Sequence, residues 1–407
     1  LGTLLSTLAA VAVSASAAAR PAAGLPSRLP PDGFEPRKGP PALELSGDDA
    51  GRLRREVLAR ALLWPQPASR VRSADLAGNG PDRPWRGDEL ACKFRPSRSS
   101  GSTPKFECVL RDGEVVKVKY GANPEIHTEL AATRLLRALG AGADRVFLAR
   151  RVRCFGCPEE PFALVRCVSS LFEPVRRQCI PLYGALHDTG RVVVRVDYSR
   201  YRDFRLVAVE RGPAARSIEL DGEDGWGFGE LGELPATRRS GRAERDALRL
   251  LAVLLQNWDT RPDNQRLLCL DADAGRGGGC ATPLAYMHDV GATFGRADGA
   301  RSARKLDVEA WASAPLWADE TGCRAAISPP RFHGATLGEA TISERGRAFL
   351  ADRLRRLSRG QIRALFEGAR FPDYEGASPA SRDVARWAAA FEDKVRQVVD
   401  RGPCPEP

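Results

Sequence analysis

The stretch Trp258-Asp259-Thr260-Arg261-Pro262-Asp263-Asn264 decides how this chain is read. Asp259 and Asn264 stand five positions apart, with a basic residue, a proline and an acid between them. The apolar run Gln265-Arg266-Leu267-Leu268-Cys269-Leu270 follows, then a turn-rich stretch, then Pro283-Leu284-Ala285-Tyr286-Met287 and Asp289-Val290-Gly291. Two short apolar runs around a turn predict a small hairpin. Asp and Asn side chains are hard oxygen ligands of the kind magnesium takes, bound through few protein groups plus phosphate oxygens.

Upstream, the order of elements is legible. Leu90-Ala91-Cys92-Lys93-Phe94 and Phe106-Glu107-Cys108-Val109-Leu110 read as strands, with a Ser/Gly turn at residues 97–102 between them. Asp112-Gly113 is a tight hairpin signal leading into Val115-Val116-Lys117-Val118-Lys119. A helix then announces both ends: Asn123 to cap, Pro124 at the first position and Gly140 just past the last turn. Lys117 and Lys119 share one strand face, so alternation cannot choose between them. In the helix Glu129 sits one turn after Glu125, and an acid in the first turn commonly serves the helix dipole.

Further strands are expected near 146–153, 162–168, 191–196 and 205–210, and a long helix from Ala243 to about Gln256. Beyond residue 300 the pattern is helical, notably at 343–357, 358–369 and 379–399. Strands first and helices last predict an α+β protein of two lobes. The expected division is 1–19 signal, 20–89 linker with one short helix, 90–235 N-terminal lobe and 236–400 C-terminal lobe.

Composition narrows the class. At 407 residues, 43% hydrophobic and 28% charged, the chain is an ordinary globular sequence. Its net charge of +10 rests on arginine, since seven of the 62 basic residues are lysine and no dense basic cluster exists. A nucleic-acid partner is not expected. Leu4 to Val13 is an apolar run followed by Ser14 to Ala19, which predicts an export signal cleaved near Ala17–Ala19. No later segment reads as membrane-spanning. Ten cysteines suit an oxidising compartment, with Cys154, Cys157, Cys167 and Cys179 expected to form two disulfides or, alternatively, a zinc site.

The ordered set of strand lysine, helix glutamate, D-x-x-x-x-N, hairpin and D-x-G resembles the protein-kinase-like superfamily. Within it the chain resembles the atypical branches: secretory-pathway (four-jointed-like) kinases first, then HipA-like and phosphoinositide-kinase-like ones. The resemblance covers about residues 90–370, and its specific part is 257–291. It implies a magnesium-dependent, ATP-using phosphotransferase acting on an unknown protein or small-molecule acceptor. Asp259 would be the base and Arg261 would steady the transferring phosphate. Asn264 and Asp289 would hold metal, and Glu129 would pair with the phosphate-gripping lysine, for which Val115-Val116-Lys117 favours Lys117 over Lys119. The 97–102 turn would cover the phosphates but lacks a G-x-G-x-x-G pattern. Departures are Trp258 where an arginine normally precedes the catalytic Asp, Val290 for phenylalanine, and no Ala-Pro-Glu. His288 reads as a structural hydrogen-bonder. A non-catalytic binding module and a nucleotidyl (AMP) transferase on the same fold stay open.

Overall fold

The computed structural model describes residues 25–405 apart from 79–84, 86, 98–100, 102, 164–165, 167–184, 189–190, 195, 214, 238–240, 272–278, 296–305, 326 and 328–331. The export signal, Cys167, Cys179 and most of the 97–102 turn therefore lie outside the described residues. In chain order the elements of the first half are β1 (Leu43–Leu45), α1 (Ala50–Ala59), β2 (Glu89–Arg95), β3 (Lys105–Leu110), β4 (Val115–Lys119), α2 (Glu125–Leu139), β5 (Arg145–Phe155), β6 (Ala185–Asp188), β7 (Arg191–Val194), β8 (Tyr201–Arg211) and β9 (Arg216–Leu220). The second half has α3 (Phe228–Glu233), α4 (Arg242–Leu255), β10 (Gln265–Cys269), β11 (Pro283–Met287), α5 (Val308–Ser313), α6 (Glu344–Leu354), α7 (Arg359–Gly368), α8 (Pro379–Arg382) and α9 (Val384–Val399). Two short strands, β12 (Arg324–Ala325) and β13 (Ala340–Thr341), pair with each other. The chain is thus a mixed α+β protein.

Strands β2, β3, β4, β8 and β5 close into a barrel in that order, and β2 runs parallel to β5. Alternation fills it: Leu90, Cys92 and Phe94 of β2, Val116 and Val118 of β4, and Val207 and Val209 of β8 share the apolar interior. Lys117 and Lys119 consequently face outward. Disulfides Cys92–Cys108 and Cys154–Cys157 sit side by side, with the Cys108 and Cys154 Sγ atoms 3.7 Å apart. The second pairing uses up two of the four sulfurs of the alternative zinc site.

Helix α2 lies where the barrel meets the helical half. Asn123 Oδ1 accepts the Glu125 N–H at 3.0 Å, and Gly140 ends the helix at φ 100°. A side chain at Gly140 would meet the Gln66 carbonyl at 2.5 Å, so only glycine fits. Helices α4, α5, α6, α7 and α9 enclose the second core, where Phe294, Trp311, Phe366, Phe371 and Trp387 meet edge to face, tilted or stacked. The Cys323–Cys404 disulfide ties the segment before β12 to the chain beyond α9.

Three expectations about organisation need correction. The segment expected as a linker is docked: β1 pairs parallel with β9, and Phe34, Leu58, Leu63 and Val71 are buried. Its Pro and Gly content marks irregular backbone, while its sparse apolar residues each find a socket. Second, β9 falls before the expected lobe boundary yet joins the sheet β1-β9-β10-β11 with the hairpin. Third, of the strand expected near 162–168, residues 164–165 and 167–168 lie outside the described residues, and 162, 163 and 166 are helical, following Pro161, which is preset for a first helical position. Among the described residues, no helix is long and apolar enough to cross a membrane.

Candidate functional site

Lys119 is the hub of a charged cluster where β4, α2 and the residues after β11 meet. Its Nζ donates to Glu129 Oε2 at 2.7 Å and to Asp289 Oδ1 at 2.9 Å, with Glu210 Oε2 at 3.8 Å. Lys119 and Glu129 are fully buried. The strand pattern favoured Lys117, but Lys117 bonds Glu210 at 2.8 Å, directly across the β4–β8 ladder. Both lysines point the same way, and the two-residue offset along the strand puts only Lys119 under α2. Burial alone would lower the Lys119 ammonium; Asp289, Glu129 and Glu210 outweigh it and hold it well above its ordinary value.

Asp289 arrives from the far side. The hairpin register pairs Gln265 with Met287, and the His288 N–H donates to the Asn264 carbonyl at 3.0 Å. Asn264 and Asp289 are thereby brought to adjacent ends of the same hairpin. Asp289 has a left-handed backbone, φ 42°, a conformation that costs a non-glycine residue of order 1–3 kcal/mol and tends to mark functional positions. Gly291 follows under α2, where its carbonyl accepts from Thr128 Oγ1 at 2.7 Å and an added Cβ would crowd Glu125 at 3.0 Å. Burial would raise the Asp289 carboxyl, yet Lys119, Lys117, Lys105 and His288 hold it well below its ordinary value. It is therefore an anion at neutral pH.

The loop after α4 supplies the other groups. Gln256, at φ 53°, ends the helix, and Trp258 is buried beneath the loop. Asp259 is held by Arg261 through Nε at 2.7 Å and Nη2 at 3.2 Å, a two-point grip. Asn264 donates its Nδ2 to the Asp259 carbonyl at 2.8 Å, so its Oδ1 is left to act as an acceptor. Two buried carboxylate oxygens, Glu129 Oε1 and Glu210 Oε2, accept no hydrogen bond among the described residues. Buried acceptors are normally satisfied. Asp289 and the Asn264 amide oxygen are hard-oxygen donors of the kind a divalent cation of the magnesium type takes.

Two features escaped the sequence reading. Lys105 lies directly opposite Lys119 in the β3–β4 ladder, is buried, and makes no hydrogen bond or ion pair among the described residues. Burial lowers its ammonium, Asp289 partly offsets this, and Lys119 and Lys117 push the same way as burial. The signal was present in the sequence, because a turn at Asp112-Gly113 sets that register. The other feature is a polar relay in which His288 Nδ1 lies 2.6 Å from Asp144, Tyr286 donates to Asp144 at 2.9 Å, and His288 Nε2 lies 3.4 Å from Lys117. His288, expected as a structural hydrogen-bonder, thus joins a network that no local pattern reveals.

Neither a family model nor a curated protein matches the chain. Among solved structures it is similar to the Helicobacter pylori proinflammatory kinase CtkA, at 10% identity and TM-score 0.41 over 77% of this chain and 95% of that one. It is also similar to the Golgi casein kinase, at 12% identity and TM-score 0.34 over 77% of this chain and 73% of that one. The Golgi casein kinase with Mn/ADP bound gives 11% identity and TM-score 0.32 over 88% and 76%. Likeness this distant leaves the chemistry to be judged from the cluster itself.

Proposed function

We propose that this chain is an exported, magnesium-dependent phosphotransferase that uses ATP, built on a two-lobed kinase-like fold. The observation that carries the proposal is the convergence on Lys119 of Glu129 from α2 and Asp289 from the end of the hairpin, at 2.7 and 2.9 Å. Phosphoryl transfer needs positioned phosphates and neutralised charge more than covalent help, and lysine with two carboxylates and an amide suits that task. The disulfides, Cys323–Cys404 and Cys269–Cys280 among them, support export.

In this reading Lys119, oriented by Glu129, grips the nucleotide phosphates, and Lys105 adds a second cation from the neighbouring strand. Asp289 and Asn264 would hold the metal ion, which would supply charge neutralisation at the phosphates. Asp259 accepts the proton of the attacking hydroxyl. Arg261, released from its two-point grip, then faces the transferring group.

A second reading has a specific observation behind it. With Arg261 on Asp259 and Lys119 on Asp289, both carboxylates are already neutralised by the chain itself. A nucleotide-binding module without turnover would need nothing more.

Intact-mass spectrometry of the oxidised protein with Mg–ATP, alongside nucleotide binding by thermal shift, separates these readings. Added phosphate supports the phosphotransferase, and added AMP points to nucleotidyl transfer. Asp289→Asn is expected to abolish metal-dependent binding and turnover together. Asp259→Asn is expected to spare binding and cut turnover by about 10²–10⁴-fold. Unaltered magnesium dependence in Asp289→Asn overturns the metal assignment. Binding without any transfer in the unmodified protein favours the module.

A further inference from the structure

One turn of α2 beyond Glu129, a cavity of about 770 Å³ opens between α2, the 3-10 turn Ala68–Ser73, the start of β5 and β11. That size falls in the range of small-molecule sites, roughly 300–1,000 Å³. Arg70, Arg134, Arg137 and Arg145 line it, against the carboxylates of Asp75 and Asp144. Both acids are engaged: Asp75 accepts the Gly78 N–H at 3.0 Å, and Asp144 holds Tyr286 and His288. Arg70 and Arg145 make no ion pair among the described residues. Apolar atoms of Ala138, Val146 and Leu284 share the lining.

We propose that this cavity binds a small organic anion, an apolar body bearing a phosphate or carboxylate, and that its occupancy is felt in the Lys119 cluster. Arginines from three different elements line one concavity; Arg134 donates to the Ala77 carbonyl at 3.0 Å, and the Arg70 and Arg145 guanidiniums suit a forked anion rather than a metal or a neutral ligand. The apolar lining calls for more than a bare ion. Two short chains of contacts lead from its wall to that cluster. Asp144 holds His288, which touches Lys117 and immediately precedes Asp289. Thr133, also in the wall, donates its hydroxyl to the Glu129 carbonyl at 2.7 Å. A ligand preferring one arrangement of this wall biases the Lys119 cluster, and by linkage a bound nucleotide changes the ligand's affinity by the same factor. This second half rests on the proposed phosphotransferase reading; the binding itself does not.

The test uses the full chain with phenyl phosphate and benzoate as probes, and phenol and inorganic phosphate as controls. Calorimetry is expected to give one site for a probe anion, tighter than for either control. Arg70→Gln and Arg145→Gln, both outside the proposed catalytic groups, are expected to weaken it about tenfold each, as loss of one charge-assisted bond does, without a change in melting temperature. Hydrogen exchange is expected to slow at residues 133–148 upon binding. No saturable binding of either probe, or binding that Mg–ADP displaces and both arginine variants leave untouched, overturns the site. Binding as described with no change in Mg–ADP affinity overturns the coupling. Binding as described in a protein that takes up no nucleotide sustains the cavity and removes the phosphotransferase reading instead.

Discussion

Replacing Lys119 by Met tests whether the hub is electrostatic or merely packed. Lys119 and Glu129 are fully buried and 2.7 Å apart. Removing the ammonium strips the partner from Glu129, whose carboxyl burial already pushes up to about 8, and from Asp289, since Lys117 is already committed to Glu210 at 2.8 Å. Breaking a buried pair from one side costs about 3–5 kcal/mol. That is a large part of a typical stability of about 5–15 kcal/mol. Glu129→Gln is milder, because the amide oxygen still accepts from Lys119 and Asp289 still balances its charge at 2.9 Å. It should cost about 1.5–3 kcal/mol, the value of a hydrogen bond to a charged group. In the double variant one of the two stranded carboxyl groups is gone while Asp289 still lacks its partner, so the loss should be less than for Lys119→Met alone. Urea unfolding followed by circular dichroism measures each corner of the cycle. Thermal shift with Mg–ADP measures binding, which should be lost in Lys119→Met and stay lost in the stability-rescued double variant. Additive costs around the cycle refute the buried pair. Nucleotide binding that returns with stability refutes the phosphate role of Lys119.

The Cys323–Cys404 bridge spans 81 residues, for which the chain-entropy relation gives up to about 4.5 kcal/mol at 25 °C. Cys404→Ser should therefore lower the denaturant midpoint strongly in oxidised protein and leave the midpoint of reduced protein unchanged; equal midpoints when oxidised dismiss the bridge. Lys394 is fully buried, donates to the Ala314 carbonyl at 2.8 Å, and burial pulls its ammonium down to about 8. An unfolded lysine binds its proton up to about pH 10.4, so between about pH 8 and 10.4 the unfolded state holds more protons and stability rises with pH, by about 3 kcal/mol at most. Below that window the term is constant, and Lys394→Met should flatten the rise; an identical slope in the variant rejects the assignment.

The sequence yields most where one residue type dictates one geometry. Gly140 closes α2 because nothing else fits beside Gln66, and Asp112-Gly113 turns β3 into β4, so the barrel hairpin and its helix were legible to within a residue or two. The hairpin between Asn264 and Asp289 was legible as two short apolar runs around a turn-rich stretch. Choosing Lys119 over Lys117 was not, since both occupy one face and the choice depends on which of them α2 covers. Lys105 was within reach through strand register and was passed over. Asp144 and Tyr286 were out of reach, because a contact spanning 142 positions leaves no local periodicity. The docked segment before β2 was missed for a third reason: irregular backbone carries no pattern even where Phe34 and Leu58 are buried.

That docked segment has a consequence for where this protein can be cut. Phe34 bonds the β3–β4 turn through Arg111, β1 completes the edge of β9, Leu62 joins β11, and Gln66 closes on Gly140. Further along, Gln361 of α7 donates to the carbonyls of Val71 and Ala74. One continuous strap therefore touches the barrel, the hairpin sheet and the helical half in turn. A chain shortened to begin at residue 90, the start suggested by the catalytic pattern, would bare the β9 edge to pairing with other chains. It would also empty the sockets of Leu58, Leu63 and Val71. A stable piece therefore has to keep this strap, although the cluster around Lys119 lies wholly beyond it in the chain.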